Sequence, residues 1–254
     1  MTNNAIPKDD TAERLIEALN QDGFVLYFQQ ITPLRAGKEP YQEILVRFKE
    51  EEEKLLPPGT FIPILESYRL MHILDRWVVN RVIKWIHAKR KRNPLWSAPC
   101  SSINLSNDSL ANVEFPDFVK TQLEKGKISG RKFAFEIAEE DAATHAEDLA
   151  RFTAALLPLG CRFTITSYNG NLLPVDKLKS CGIDGIKMDI EIVASLHANE
   201  ASLSQARAIQ SCCEAQGLCT LGEFVERPET LEKLKELGVH YAQGYGIAMP
   251  EPLA

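Results

Sequence analysis

The sequence predicts an α/β fold, a single domain in which eight strand–helix units close into a (βα)8 barrel, and three observations carry that prediction. Beyond Pro94 brief apolar runs alternate with helix-length amphipathic stretches, and repeated βα units favour a parallel sheet that eight of them can close. The 254 residues, 44% of them hydrophobic, suit the size that single α/β barrels commonly reach. Polar residues also recur at the predicted strand ends: Glu43, Asn104, Glu136, Lys187, Glu223 and Gln243, with a gap at Thr166-Ser167. Strand tips converge on one mouth of a barrel, so these side chains would share one site. An open doubly wound sheet is the alternative, but no G-x-G-x-x-G follows the first strand and no P-loop is present.

Taken in order, residues 1–10 are polar and read as a linker, with the barrel domain spanning 11–254. Ala12 to Leu19 has helical spacing, and Asp22-Gly23 turns it into the apolar run Phe24 to Phe28, the first strand. Residues 41–48 (YQEILVRF) form the second strand. The acidic run Glu50 to Glu53, followed by Pro57-Pro58-Gly59, breaks it and reads as a solvated loop rather than a cation site. From Leu70 to Arg92, the positions Leu70, Ile73, Leu74, Trp77, Val78, Ile83 and Ile86 trace one helical face. The basic tract Lys89 to Arg92 suits that helix's C-terminus and needs no ligand. Six more strands are predicted at 101–105, 133–137, 161–165, 185–188, 218–221 and 239–242, with helices between them such as 142–157 and 201–215.

Composition excludes several functions. A net charge of −6 disfavours broad binding to DNA or to anionic membranes, since neither is attracted to an acidic surface. Cys100, Cys161, Cys181, Cys212, Cys213 and Cys219 lack paired CxxC spacing and follow no signal-like segment. They read as reduced, packed thiols of a cytoplasmic protein. No apolar run approaches the ~20 residues needed to span a bilayer.

The polar ladder has specific chemistry. Residues two apart share a strand face, so Glu43, Leu45 and Arg47 point the same way. An acid and a guanidinium so placed suit a metal beside a phosphate, and equally a buried ion pair. Asn104 is a candidate cap for a helix near Asn107. Glu136 lies among apolar neighbours, where a carboxylate must be paired, hydrogen-bonded or metal-bound. Lys187, in a barrel strand, carries a charge that is costly to bury and could hold a water. Glu223 closely follows a strand, while its neighbour Glu226 has pairing with Arg227 or helix capping as alternatives. Gln243 offers a two-sided amide to a base edge or phosphate oxygen.

These segments carry a resemblance. YQEILVR, INLS, FEIAEE, IKMD, GEFVE and YAQGY, together with FVLYFQQI and LPPGTFIPILE, resemble in order and spacing the signatures of the EAL domain family, whose members hydrolyse or bind the bacterial second messenger cyclic di-GMP. The resemblance spans about residues 11–252 and implies a modified (βα)8, TIM-like barrel whose first strand runs antiparallel to the rest. It implies metal binding by Glu43, Asn104 and Glu136, with Ile44 in place of the usual alanine. Lys187 matches the lysine near the attacking water, and Glu223 matches the later acid of the catalytic centre. Gln29, Arg47, Gln243 and the backbone near Leu45 match dinucleotide contacts, and Glu139 matches the glutamate that steadies the loop after the fifth β/α strand. Phe61 and Pro63 either shape a base pocket or pack in the core.

One departure is sharp. Where active members carry Asp-Asp-Phe-Gly-Thr-Gly, this chain reads Thr166-Ser167-Tyr168-Asn169-Gly170-Asn171. The aspartates are metal ligands in the family, and hydroxyls replace them poorly because hard divalent ions prefer anionic oxygen. Three readings follow: a cyclic di-GMP receptor that does not cleave, a protein-interaction domain without nucleotide, or a weak phosphodiesterase. Magnesium or manganese would be a cofactor only if residual metal binding persists. The resemblance also implies a protein partner or neighbouring signalling domain, a homodimer through helices near the fifth and sixth strands, and a cytoplasmic bacterial setting, with a place within a larger protein open to such a domain.

Overall fold

A computed structural model describes residues 14–19, 21, 23–49 and 55–254. The expected linker, the Asp22 turn position and the acidic run Glu50 to Glu53 lie outside the described residues. Eight strands form the closed barrel: β1 (Phe24–Pro33), β2 (Tyr41–Lys49), β4 (Ser101–Asn104), β5 (Phe133–Ala138), β6 (Arg162–Tyr168), β7 (Gly185–Met188), β8 (Cys219–Gly222) and β9 (Tyr241–Ala242). They follow one another around the sheet, and β1 closes it by pairing with both β2 and β9. Both of those pairings are antiparallel, whereas β2, β4 and all later neighbours run parallel. Two short strands lie outside the ring: β3 (Leu55–Leu56) on β2, and β10 (Glu251–Pro252) on β1.

Helices cover the parallel strands, so these bury both faces and read as continuous apolar runs rather than alternating ones. In β5, Phe133, Ala134, Phe135, Glu136 and Ile137 are all buried. Phe135 stacks on Phe163 of β6 at 6.1 Å and meets Phe152 edge-on at 5.4 Å. Phe152 belongs to the amphipathic helix α6 (Ala146–Leu156). The earlier helices are α1 (Pro58–Ser67), α2 (Met71–Arg92), α3 (Asn107–Ala111), α4 (Phe115–Gly126) and α5 (Glu139–Thr144). The long helix α2 buries Met71, Leu74, Val78, Val79, Val82, Ile83 and Ile86, while Ile73 and Trp77 sit at the edge of that stripe. Phe61 lies in an aromatic cluster with Phe24 (5.2 Å) and Phe48 (6.2 Å), so it packs in the core, and Pro63 is exposed on α1. The opposite mouth is plugged by Ile31, Tyr41, Leu221 and Tyr241.

After β6 come α7 (Val175–Ser180), α8 (Ile190–Ser195), α9 (Glu200–Ala215) and α10 (Pro228–Glu236). The fifth barrel strand, β6, differs from expectation. It runs on through Thr166 and Ser167 to Tyr168, by a register shift between Ile165 and Tyr168, and Ser167 takes a left-handed backbone (φ 53°). Cys161 and Cys213 are buried and Cys212 is exposed. No helix among the described residues is long and apolar enough to cross a membrane.

Candidate functional site

Strand pairing assembles the mouth. Glu43 on β2 stands opposite Gln29 on β1, and Asn104 on β4 opposite Glu136 on β5. Lys187 enters from β7, while Glu223 and Gln243 immediately follow β8 and β9. The Lys187 side chain is fully buried, and its Nζ lies 2.9 Å from Glu43 Oε2, 2.7 Å from Glu136 Oε2 and 3.7 Å from Glu223 Oε2. It also donates to Gln243 Oε1 at 3.3 Å. Gln243 Nε2 donates to Glu43 Oε2 (2.7 Å) and Gln29 Oε1 (3.0 Å), and Gln29 Nε2 donates to the Ala248 carbonyl (2.8 Å). Asn104 Nδ2 donates to the other Glu43 oxygen at 2.8 Å. Residues from positions 29 to 243 thus form one connected network.

One ammonium cannot satisfy two buried carboxylates and a third that is partly exposed equally, and the acids divide accordingly. Burial opposes ionisation of Glu43, but Lys187 with hydrogen bonds from Asn104 and Gln243 outweighs it and holds this carboxyl below its usual range. Burial and then repulsion from Glu43 push Glu136 up to about 8 despite the nearby ammonium. Burial, only partly opposed by Lys187, raises Glu223 as well. Burial works against the Lys187 charge, yet Glu136, Glu223 and Glu43 hold its pKa well above the ordinary value. Glu136 Oε1 is buried with no hydrogen-bond partner, which marks the protonated or cation-accepting edge of the cluster.

The other expected residues divide into two groups. Arg47 stands apart from the network: its Nη1 donates to the Val46 carbonyl at 2.9 Å and its guanidinium lies 5.8 Å from the Tyr27 ring centre. The ion pair of Glu43 is therefore with Lys187 and not with Arg47. Leu45 is half-buried and lines a cavity of about 810 Å³ beside Glu43 and Asn104. Glu139 accepts from the backbone N–H of Asn169 (3.0 Å), Leu172 (3.2 Å) and Leu173 (3.2 Å), and so fixes the segment after β6. Tyr168 Oη reinforces it by donating to the Leu173 carbonyl at 2.8 Å. Asn104 does not cap α3; Ser106 does, its Oγ accepting from Ser109 N. Arg227 turns towards His197 at 3.2 Å.

Sequence reasoning missed Asp75. It is buried on α2 and lines the same cavity, and its Oδ2 accepts from Ser106 N (3.0 Å) and Ser106 Oγ (2.6 Å), bracing the turn that follows Asn104. Burial pushes its carboxyl up to about 6. The available signal was a lone acid inside the apolar stripe between Leu74 and Val78.

The donors present do not fit a pair of divalent ions. Three carboxylates against one ammonium leave charge enough for one such ion at most, and β6 carries the neutral residues Thr166 and Ser167 near its end rather than acids. Among the described residues, no group of three His, Cys, Asp or Glu side chains is arranged to hold a metal ion.

The fold and site define a class: a closed β/α barrel, first strand reversed, with one acid–amide–lysine network at the C-terminal mouth of its parallel strands. The chain belongs to the EAL domain family, whose EAL domain matches residues 12–250. It is 30% identical over 244 residues to the cyclic di-GMP phosphodiesterase PdeB of Shewanella oneidensis, covering 96% of this chain and 28% of that protein. It is also 30% identical over 248 residues to the cyclic di-GMP phosphodiesterase PdeF of Escherichia coli, covering 97% of this chain and 32% of that one. The chain thus spans less than a third of either relative. The FimX EAL domain of Pseudomonas aeruginosa bound to c-di-GMP superposes with a TM-score of 0.87 at 25% identity, covering 96% of this chain and 97% of that one.

Proposed function

We propose that this domain binds cyclic di-GMP at the barrel mouth without hydrolysing it, and passes occupancy to a protein partner or a neighbouring domain. The carrying observation is the pairing of an intact acid–amide network with neutral Thr166 and Ser167 where hydrolysis calls for two carboxylates. Two-metal hydrolysis needs ions that activate water and stabilise the charge growing on the phosphodiester. Neutral hydroxyls from β6 do not supply the anionic ligands for that pair. Binding has lighter demands. Gln29, Gln243 and the backbone near Leu45 offer hydrogen bonds to the dinucleotide, and Arg47 swings from its Tyr27 contact to a phosphate through its fork of donors. A proton on Glu136 at neutral pH also lessens the repulsion that an anionic ligand meets at the mouth.

Calorimetric titration of cyclic di-GMP, in magnesium and in chelator with product analysis on the same samples, tests this. Equal binding in both and no linear product is the expected result. Linear dinucleotide formed with magnesium or manganese and abolished by Glu43→Ala supports the phosphodiesterase reading instead. No heat at ligand concentrations on the order of tens of micromolar supports a domain that has lost the nucleotide.

A further inference from the structure

We propose that the Lys187 ammonium is the resident cation of this site, holding Glu43, Glu136 and Glu223 in place of a divalent ion and excluding one. Its Nζ reaches acids carried by β2, by β5 and by the segment after β8, together with the Gln243 amide after β9. A point charge with several donors on a flexible stem suits this role of gathering oxygens from several directions. The side chain is wholly buried, so the ammonium cannot leave the acids for solvent. A divalent ion bound by Glu43 and Glu136 would sit within a few ångströms of that fixed positive charge, with no carboxylate from β6 to offset the repulsion. Lys187 has no route to the exposed rim, so it acts on a ligand only through Glu43 and Gln243. It is a positioning residue. Glu136 Oε2 touches the ammonium, whereas Glu136 Oε1 is buried with neither a hydrogen-bond partner nor an ion-pair contact, and it marks where an ion would enter if the ammonium were removed.

The inference is independent of nucleotide binding, and its test uses the metal alone. Manganese is titrated against the wild-type chain and Lys187→Met, with free manganese read by electron paramagnetic resonance and stability read by thermal melting in chelator and in manganese. The wild-type chain is expected to leave the free-manganese signal and its melting temperature unchanged. Lys187→Met should melt lower in chelator, recover in manganese, and bind the ion more than tenfold more tightly than wild type, because the buried Glu43 and Glu136 and the partly buried Glu223 then lack their ammonium. The double variant Lys187→Met with Glu136→Gln should lose most of that gain. Saturable manganese binding by the wild-type chain overturns the proposal whether or not the variants fold. So does a Lys187→Met chain that manganese neither binds nor stabilises. Cyclic di-GMP binding by the same samples reports on the receptor reading separately.

Discussion

Asp75→Asn should stabilise this protein at neutral pH, although it removes a buried charge that accepts two hydrogen bonds. Asp75 titrates at about 6 in the fold against an ordinary 3.8, with burial the largest cause and the Ser106 hydrogen bonds opposing it. The fold therefore favours the protonated form. Its contribution to stability is fully present below about pH 4 and is lost as the pH rises through 6. At 1.36 kcal/mol per unit, ionising Asp75 costs the fold up to about 3 kcal/mol at pH 7.5. Both Ser106 bonds converge on Oδ2, so a single asparagine oxygen can accept them. The amide nitrogen then faces the buried Ser109 hydroxyl, which lies close enough to Asp75 to favour its carboxylate and can turn to accept from the amide instead. Weaker neutral bonds offset part of the gain, leaving about 1–3 kcal/mol. Urea unfolding of both proteins from pH 4.5 to 8 gives the difference curve, in which other titrating groups such as Glu136 largely cancel. It should be near zero at the acid end and rise in favour of Asn through pH 6. A flat curve, or a variant less stable at pH 7.5, would refute the reasoning.

Three further outcomes are expected. Phe224 is about half exposed and holds a left-handed backbone at φ 54°, so Phe224→Gly should raise stability by about 0.5–1 kcal/mol by relieving strain, net of glycine's greater unfolded freedom; a lowered melting temperature would refute it. Glu139→Gln leaves one acceptor oxygen where two serve three backbone donors, costs about 1–3 kcal/mol, and should speed amide exchange at Asn169, Leu172 or Leu173; unchanged exchange at all three would count against the clamp. Arg47→Ala should weaken cyclic di-GMP binding about tenfold or more while leaving melting nearly unchanged, since Arg47 lies outside the buried network; equal affinity for both proteins would remove Arg47 from the ligand contacts.

The barrel was legible in the sequence because its physical cause is local. A strand buried on both faces must be apolar throughout, and runs such as Phe133 to Ile137 announce themselves without knowledge of their neighbours. The end of β6 was not legible. Thr166 and Ser167 lie inside the strand because its register with β7 shifts between Ile165 and Tyr168, and a bulge is defined by its partner strand rather than by its own residues. The even spacing of Glu43 and Arg47 correctly set their shared face, but the length of the arginine let its head fold back onto the Val46 carbonyl and away from the acids. Asn104 and Ser106 are both plausible caps by type; only the strand pairing, which brings Asn104 beside Glu43, separates their roles.

Charge state lay furthest from the sequence. Glu43, Glu136 and Glu223 are one residue type at equivalent strand ends, yet the first is held ionised while the other two are pushed towards their protonated forms. The difference comes from which of them shares Lys187 with two amide donors, and those donors arrive from positions 104 and 243. Chemistry at this mouth is therefore a property of the network, and a substitution at any one of its members redistributes protons among the rest. Gln243→Glu tests that coupling directly. A fourth acid beside Lys187 replaces the donor that keeps Glu43 charged, so the variant should take up an additional proton on folding at neutral pH. Stability should then fall more steeply than in wild type as the pH rises above 7, because the added buried acid must ionise. Parallel stability profiles for the two proteins would mean that these acids titrate independently.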